Sequence, residues 1–297
     1  MGGDDNTIFQ NIHFIINPIA GKGQGLEVKK LIEELFPKEK VQIKLTRGKD
    51  DAYSLAWVSA EQGADLIVSC GGDGTLNETA SALVGKNVPL AIIPIGSGNG
   101  LARHLKIPLN HKKALQLIKN NEFKIKNIDC GKANDDYFFS NMGIGFDAEV
   151  INEYAHQKQR KFIGYAKCII LSLFKFRPIH ISLNSEQEEF FGEAMMLNIS
   201  NSNQLGYGIS ITPEASLEDG LLNINLIRKC SWLGFAWVGL EILFKKKRFG
   251  KNRKKFIEKN LEIKTSVDYM QIDGELRSLP AKKIEISVVP KALKILC

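Results

Sequence analysis

The sequence has few cysteines, and their positions do not suggest disulfide or zinc chemistry. The five cysteines of the 297-residue chain are scattered, and neither a CxxC pair nor an HExxH motif occurs. Neither a disulfide framework nor a structural zinc site is expected, which favours free thiols in a reducing compartment. The polar, acidic first residues lack the features of a secretory signal peptide, so we expect a cytoplasmic protein.

Long uncharged stretches are also scarce. The least charged one, Ser231–Phe244, has Glu241 as its only charge, and it is shorter than the roughly 18–20 residues of a membrane-spanning helix. The next run, Lys245–Lys255, carries eight basic residues in eleven. It is interpreted as a solvated basic face or as a reversible docking site for an anionic membrane. Aromatic residues are sparse in it, so nucleic acid is not an expected partner, and a homodimer is left open.

The hydrophobic pattern divides the chain into two parts. Short apolar runs alternate with helical patterns up to about residue 125, which predicts an α/β domain with an open, mostly parallel sheet. Separated strand-like runs dominate the remainder, which predicts a β-rich antiparallel sandwich or barrel. Two helical segments, about 149–176 and 231–247, interrupt this second part.

Three glycine-rich segments each follow a predicted strand: Ala20–Gly25, Gly71–Gly74 and Gly96–Gly100. Loops after parallel strands share one edge of the sheet, and glycines there let backbone N–H groups approach phosphate oxygens. A phosphorylated ligand is therefore expected. The P-loop pattern is absent, and the GxGxxA match at Gly143–Ala148 lies in the β-rich part, which disfavours a dinucleotide fold.

Several motifs, in this order, resemble those of the diacylglycerol kinase catalytic family, which includes the sphingosine and ceramide kinases. GGDGTLNE and PIGSGNGLAR carry the resemblance in the first part, and IINPIAGKG resembles the family's opening strand and loop. In the second part GIGFDAEV, SLEDGLLNI, IDGE and VVPKALKIL are similar to the family's later motifs. GGDGT alone is shared with NAD kinases, so the later motifs favour lipid kinases.

The resemblance implies a two-domain layout. Residues 8–128, with a returning segment 287–297, would form an NAD kinase- and phosphofructokinase-like nucleotide-binding domain, and residues 129–286 would form the lipid-substrate domain. ATP and Mg²⁺ are the implied cofactors. The implied ATP contacts are Asn17, Ala20, Gly21, Lys22, Gly23, Thr46, Gly71, Gly72, Gly74, Thr75, Asn77, Glu78 and Ser97. On local sequence alone, Asn17 could be a turn former, Thr46 a loop hydroxyl, and Asn77 and Glu78 first-turn helix residues.

Asp73 and Glu275 are the implied catalytic residues. From the local sequence, Asp73 could cap a helix or form an Asx-turn, hold Mg²⁺, or help to deprotonate the acceptor. A carboxylate with a pKa near 4 is a poor general base. Glu275 resembles the family's proton acceptor, and the layout would place it across the cleft from the phosphate loops. Asp73 is therefore assigned mainly to metal and phosphate organisation, although the DG of Asp273–Gly274 also favours a hairpin turn.

The resemblance implies three further roles. Asp219 would bind a structural Mg²⁺ with the backbone carbonyls of Ser216 and Leu221; this chain has Glu218–Asp219 where the family commonly has two aspartates. Asp147 would orient the lipid head group, with a solvated loop acid as the alternative. Phe162–Phe176 and Trp232–Phe244 are candidate walls of an acyl groove or parts of an ordinary core.

The sequence thus predicts an ATP-dependent lipid kinase that phosphorylates a primary hydroxyl of a membrane lipid. Diacylglycerol, a sphingoid base, ceramide and undecaprenol stay open as acceptors. The alternatives are an NAD kinase-like enzyme and a non-catalytic protein that binds nucleotide or lipid. Retention of both Asp73 and Glu275 argues against the non-catalytic alternative.

Overall fold

A computed structural model describes residues 9–155, 162–205, 208–243 and 252–297. The chain forms two compact units, one made of residues up to 128 together with 291–297, and the other of residues 129–290. No helix in these described ranges is long and apolar enough to cross a membrane.

The first unit is built around a parallel sheet. Its strands are β1 (Ile12–Ile16), β2 (Val41–Leu45), β3 (Leu66–Gly71) and β4 (Leu90–Pro94), and its helices are α1 (Ala20–Leu35), α2 (Asp51–Glu61), α3 (Asp73–Leu83), α4 (Gly100–His104) and α5 (His111–Lys119), with a 3₁₀ turn at Lys38–Lys40. The sheet order is β4-β3-β1-β2, and every one of these pairings is parallel. The C-terminal segment adds Ile295, which pairs in parallel with Leu90.

Burial follows from the composition of these strands. All residues of β1, β3 and β4 are buried, as expected for near-continuous apolar strands in a parallel sheet that is covered by helices. Helix α1 turns its apolar positions Val28 and Ile32 inward. The predicted loop Ala20–Gly25 is continuous with α1, but Gly21–Gly23 have positive φ values of 57°, 65° and 93° and are not helical in conformation.

The second unit is mainly antiparallel. Its strands are β5 (Ile125–Ala133, which begins in the first unit), β6 (Asp136–Phe138), β7 (Asn141–Gly145), β8 (Ile179–Ser185), β9 (Glu189–Ser200), β10 (Leu222–Arg228), β11 (Arg253–Glu258), β12 (Asn260–Thr265), β13 (Tyr269–Ile272), β14 (Glu275–Ser278) and β15 (Lys283–Leu296, which ends in the first unit). The long strand β9 pairs with β7, β8 and β10. Inward-facing side chains of these strands form one apolar core, which includes Phe138, Leu197 and Ile224.

Three helices of the second unit pack beside a further apolar cluster. They are α6 (Phe146–Ala155), α7 (Phe162–Lys175) and α8 (Trp232–Leu243). Phe146, Cys168, Phe235 and Val238 from these helices contact Met195 and Met196 of β9. The inner faces of α7 and α8 are therefore parts of an ordinary core, which is one of the two interpretations that the sequence offered for these segments.

Candidate active site

The carboxyl ends of all four parallel strands of the first unit lie in one row. The register pairs Ile16 with Leu45 and with Cys70, and Gly71 with Pro94. The residues that leave the strands continue the row, because the N–H of Thr46 donates to Ile16 (2.9 Å) and that of Ile95 to Gly71 (2.8 Å). The predicted phosphate-binding loops thus converge on one edge, where ligands bind in open α/β sheets.

The first loop lies in close contact with its neighbours, and glycine makes this possible. A Cβ on Gly21 would lie 2.7 Å from the carbonyl oxygen of Ile95, and one on Gly25 would lie 2.1 Å from that of Asn17. The Asn17 amide donates to the Thr75 hydroxyl (3.2 Å). Glycine is therefore required here by close backbone approach as well as by positive φ.

Asp73 ties the GGDGT loop to the loop after β4. Its Oδ2 accepts the N–H of Asn99 and its Oδ1 accepts the N–H of Gly100, both at 2.8 Å. Asp73 is the first residue of α3, and its cap residue Gly72 offers no side chain. The carboxylate therefore holds the start of α4 in place. Sequence reasoning could not identify this partner, because it lies 26 residues further along the chain.

Gly98→Ala is expected to weaken the hydrogen bonds between Asp73 and the loop after β4. A Cβ at Gly98 would lie 2.6 Å from Asp73 Oδ2, which forces the carboxylate or the loop to move. We expect at least about a tenfold loss of ATP affinity, corresponding to about 1.4 kcal/mol, measured by calorimetric titration. Gly48→Ala is the matched control, because a Cβ there meets nothing within 4 Å. Equal affinities of the two variants would show that the geometry of this loop does not matter for nucleotide binding.

The remaining predicted ATP contacts differ in how far their side chains are exposed. Ser97 and Lys22 are exposed beside the loops, whereas Thr46, Thr75 and Asn77 are at most 8% exposed. The Glu78 carboxylate accepts the N–H groups of Asp50 (3.0 Å) and Ala52 (3.1 Å). Glu78 therefore satisfies the amino-terminal donors of α2 and positions the segment that follows Thr46.

In the second unit, the DGE segment is a tight hairpin turn. Asp273 and Gly274 have positive φ values of 48° and 84°, and Ile272 pairs with Glu275 across the turn, as expected for two central residues with φ > 0. The Asp273 carboxylate accepts three N–H groups, from Phe139, Ser140 and Asn141, at 2.8–3.0 Å. The turn is thus fixed to the start of β7, and it presents Glu275 at the first position of β14.

Asp147 lies in a buried polar cluster that the sequence did not reveal. It is 6% exposed. Its Oδ1 accepts the N–H of Ala148 at 2.9 Å, and its Oδ2 faces the amides of Asn198 (3.4 Å) and Gln271 (3.3 Å). Burial raises the pKa of Asp147 to about 7, although these hydrogen bonds oppose the rise. The alternative of a solvated loop acid is therefore wrong.

Gln271 connects this cluster with the hairpin turn. Its amide nitrogen donates to Asn141 Oδ1 (2.8 Å) as well as facing Asp147, while its Oε1 accepts the N–H of Gly274 (3.0 Å). Neither Gln271 nor Asn198 belongs to a recognisable motif. Only the register of β13, β7 and β9 brings them to Asp147.

The raised pKa of Asp147 predicts an unusual dependence of stability on pH. The folded chain holds a proton that the unfolded chain releases near pH 4, so the contribution of Asp147 to the free energy of unfolding should fall as pH rises from about 4 to about 7. The contribution is at most about 4 kcal/mol, at 1.36 kcal/mol per pKa unit. Denaturant titrations at several pH values should show this contribution as the difference between the unmodified protein and Asp147→Asn, which lacks it. An identical slope in both proteins would contradict the assignment.

Comparisons with known proteins agree with this geometry. Residues 11–133 match the diacylglycerol kinase catalytic domain, and residues 140–297 match the YegS C-terminal NAD kinase beta sandwich-like domain. A probable lipid kinase YegS-like protein of Yersinia enterocolitica is 31% identical over 265 residues, covering 86% of each chain. The chain belongs to the YegS-like lipid kinase family.

Solved structures place this lipid kinase in a wider fold group. A putative diacylglycerol kinase from Bacillus anthracis is similar with a TM-score of 0.78 at 23% identity, covering 98% of each chain. An NAD kinase from Archaeoglobus fulgidus in complex with ATP is similar with a TM-score of 0.53 at 15% identity, over 96% of this chain and 92% of that one. These two likenesses concern the fold alone. The predicted fold class, a parallel α/β domain followed by a β sandwich, is confirmed.

The lipid kinase has a second DG turn at the predicted metal position. Asp219 is exposed, and its Oδ1 accepts the N–H of Leu221 (3.0 Å). Asp129, which was not predicted, is 1% exposed and accepts the N–H of Gly220 at 2.7 Å. No group of three or more His, Cys, Asp or Glu side chains suited to a metal occurs within the described ranges. One or two carboxylates with backbone carbonyls and water still fit Mg²⁺.

The end of the predicted basic docking run has partners within the second unit where the structure describes it. Residues 244–251 lie outside the described residues, and Arg253 begins β11, a strand that was not predicted. Arg253 is 8% exposed and donates to Asn225 and Ile211, while Lys254 and Lys255 pair with Glu188 and Glu214. These three cations therefore serve the second unit's own structure. The reversible docking site at 245–255 stays a prediction, and the structure shows that three of its cations also have partners within the second unit.

Proposed function

We propose that this lipid kinase transfers phosphate from ATP, with Mg²⁺, to a primary hydroxyl of a membrane lipid such as diacylglycerol or a sphingoid-type lipid. One observation carries the proposal. Three glycine-rich loops converge on one sheet edge, and Asp73 joins the second of them to the third, in a chain whose family is that of lipid kinases. Family membership supports the kinase chemistry, and the loop geometry supports the place of the donor.

The ATP phosphates would lie against the loop backbones. Gly71, Gly72, Gly74 and Gly21 have no side chains that would keep a phosphate from the backbone. Ala20 and Gly23, whose N–H groups donate to the carbonyl oxygens of Asn17 and Ile19, would shape the first loop around the phosphates. The amino terminus of α3 adds partial positive charge, which favours a phosphate. Asn17, Thr75 and Ser97 supply hydroxyl or amide donors, and exposed Lys22 supplies positive charge. Thr46 and Asn77, both buried, shape the edge from β2 and α3.

Phosphoryl transfer needs positioning, neutralisation of charge and a destination for the hydroxyl proton. Bound Mg²⁺ would neutralise charge on the transferring phosphate. Asp73 organises the loops, and we assign phosphate and metal organisation to it. We assign the proton of the lipid hydroxyl to Glu275, which the hairpin turn presents at the start of β14. Asp147, whose raised pKa lets it donate as well as accept a hydrogen bond, contacts the polar head group.

A structural Mg²⁺ is assigned to the second DG turn. Asp219 would bind it with the carbonyl oxygens of Ser216 and Leu221, and the nearby Asp129 carboxylate adds negative charge to the same turn. The ion would fix the turn before β10. A homodimer and a cytoplasmic location stay predictions.

Two alternatives are less well supported. The likeness to an ATP-bound NAD kinase concerns the fold alone, whereas the relatives that match in sequence are named as lipid kinases. A non-catalytic binding protein would not need Glu275, which the Asp273–Gly274 turn presents. The acceptor itself is not decided by Ser97-Gly98-Asn99, because this loop lies on the proposed ATP side.

The acceptor can be identified by incubating the protein with ATP, Mg²⁺ and a total membrane lipid extract, followed by mass spectrometry of the lipids. We expect one lipid class to be depleted and its phosphomonoester to appear. Glu275→Gln incubated in parallel is the control for contaminating kinases. Failure of any lipid phosphomonoester to appear, in extracts that contain all four candidate acceptors, would refute the proposal.

A further inference from the structure

The outer faces of α7 and α8 expose large apolar side chains. Ile170, Phe174, Trp232, Leu233, Trp237 and Leu240, which we call the helical apolar face, are each between 45% and 70% exposed. The rings of Phe174 and Trp232 are in contact, with centroids 5.6 Å apart. The two helices therefore present one continuous surface. Adjacent exposed apolar side chains of this size mark an interaction site.

The helical apolar face is not needed for the core of the unit. The same two helices bury other side chains, Cys168 on α7 and Phe235 and Val238 on α8, against strand β9. The exposed residues are thus additional to a core that is already complete. Their chemistry, two tryptophans and a phenylalanine among aliphatic residues, is typical of side chains at a membrane interface.

The charged residues near the helical apolar face indicate the kind of partner that it binds. Helix α7 contains two lysines and no acidic residue, and Lys175 and Arg177 at its end are exposed. The only acidic residue of α8, Glu241, is buried at 8% exposure and accepts the indole N–H of Trp237 (3.0 Å). In the sequence, Lys245–Lys251 follows α8 with five basic residues in seven. An apolar face with exposed cations at the end of α7 complements an anionic bilayer.

We propose that the helical apolar face inserts into the head-group region of an anionic membrane and so brings the enzyme to its lipid acceptor. This inference rests on the proposed function, because docking brings the active site to a lipid acceptor only if the protein phosphorylates a membrane lipid. The membrane contact is thereby assigned to α7 and α8 rather than to the predicted run Lys245–Lys255, of which residues 253–255 lie in β11. Basic residues attract the protein to the surface, and the aromatic side chains hold it there.

Tryptophan fluorescence tests the contact directly. The chain has three tryptophans, so Trp57→Phe leaves only Trp232 and Trp237, both on the helical apolar face. We expect vesicles of brominated phosphatidylglycerol and phosphatidylcholine to quench this emission, and vesicles without phosphatidylglycerol to quench it much less. Protein that sediments with the vesicles without quenching would overturn the proposal, since another surface would then be in contact.

A patch variant gives a second, independent measurement. Phe174→Ser, Trp232→Ser and Leu233→Ser combined should reduce vesicle binding by at least about tenfold, because binding scales with the apolar area inserted. Phe191→Ser is the control, since Phe191 is 88% exposed on β9 and lies outside the face. Equal binding by the two variants would overturn the proposal. So would a concentration-dependent dimer that buries both tryptophans, detected by sedimentation.

Activity separates this proposal from the proposed function. With a lipid acceptor in detergent micelles, the patch variant should phosphorylate as fast as the unmodified protein, whereas with the same acceptor in anionic vesicles it should be slower by about the loss of binding. If neither protein phosphorylates lipid in either form, the proposed function fails. The quenching result still decides whether the face contacts a membrane.

Discussion

Glu275→Gln is expected to reduce lipid phosphorylation by about a hundredfold or more while ATP binding and the free energy of unfolding stay close to those of the unmodified protein. Loss of a positioned proton acceptor typically costs a factor of 10²–10⁴. Glutamine has nearly the same shape, and the turn that holds residue 275 depends on Asp273, Gly274 and Gln271 rather than on the glutamate side chain. The defect should therefore lie in turnover.

Single-turnover measurements of phosphate transfer, together with calorimetric measurements of ATP affinity, distinguish a defect in turnover from a defect in ATP binding. Glu285→Gln is the matched control, because Glu285 is an exposed glutamate of the same unit that pairs with Lys283. Turnover of Glu275→Gln near that of the control would remove Glu275 from the chemistry. A large loss of unfolding free energy would instead show that Glu275 is structural.

Asp73→Asn is expected to abolish phosphorylation and, unlike Glu275→Gln, to lower stability as well. Each oxygen of Asp73 accepts one backbone N–H, whereas asparagine has one oxygen and an NH₂ group that would face a second donor. An unsatisfied donor costs about 1–3 kcal/mol. Loss of the negative charge also removes the group that we assign to metal and phosphate organisation.

Gly98→Ala separates the two parts of this effect, since it disturbs the same contact but keeps the charge. We expect Gly98→Ala to keep measurable turnover at saturating ATP and Asp73→Asn to lose at least about a hundredfold more, a difference of about 2.7 kcal/mol. Rapid-quench measurements with both variants, below their unfolding temperatures, supply the comparison. Equal losses would mean that Asp73 acts only by holding the loops together.

Much of the fold followed from the sequence because its signals are local. Apolar runs such as Ile12–Ile16 and Leu66–Gly71 predict buried parallel strands, and glycines after them predict loops at one edge. The strand β11 was missed because its residues, RKKFIE, continue a basic run. Their burial depends on partners more than twenty residues away in sequence, such as Asn225 for Arg253, which no local pattern reveals.

The membership of the candidate site stays a prediction from motif resemblance, and its contacts could not be predicted from the sequence at all. Motif resemblance identified Asp73, Asp147 and Glu275. It could not show that Asp73 binds the loop at Asn99, or that Glu78 holds α2. Nor could it show that amides from β9 and β13 surround Asp147, because these relations depend on strand register. Burial decides the protonation of Asp147, and burial is a property of the fold.

The central claim, that this chain phosphorylates lipid with ATP bound at the glycine loops, is tested most directly by transfer of labelled γ-phosphate in one mixture. The mixture contains the purified protein, Mg²⁺, anionic vesicles with the candidate lipids, and NAD. We predict label in a lipid phosphomonoester, none in NADP, and loss of the lipid label in Glu275→Gln. Label in NADP without label in lipid would contradict the account.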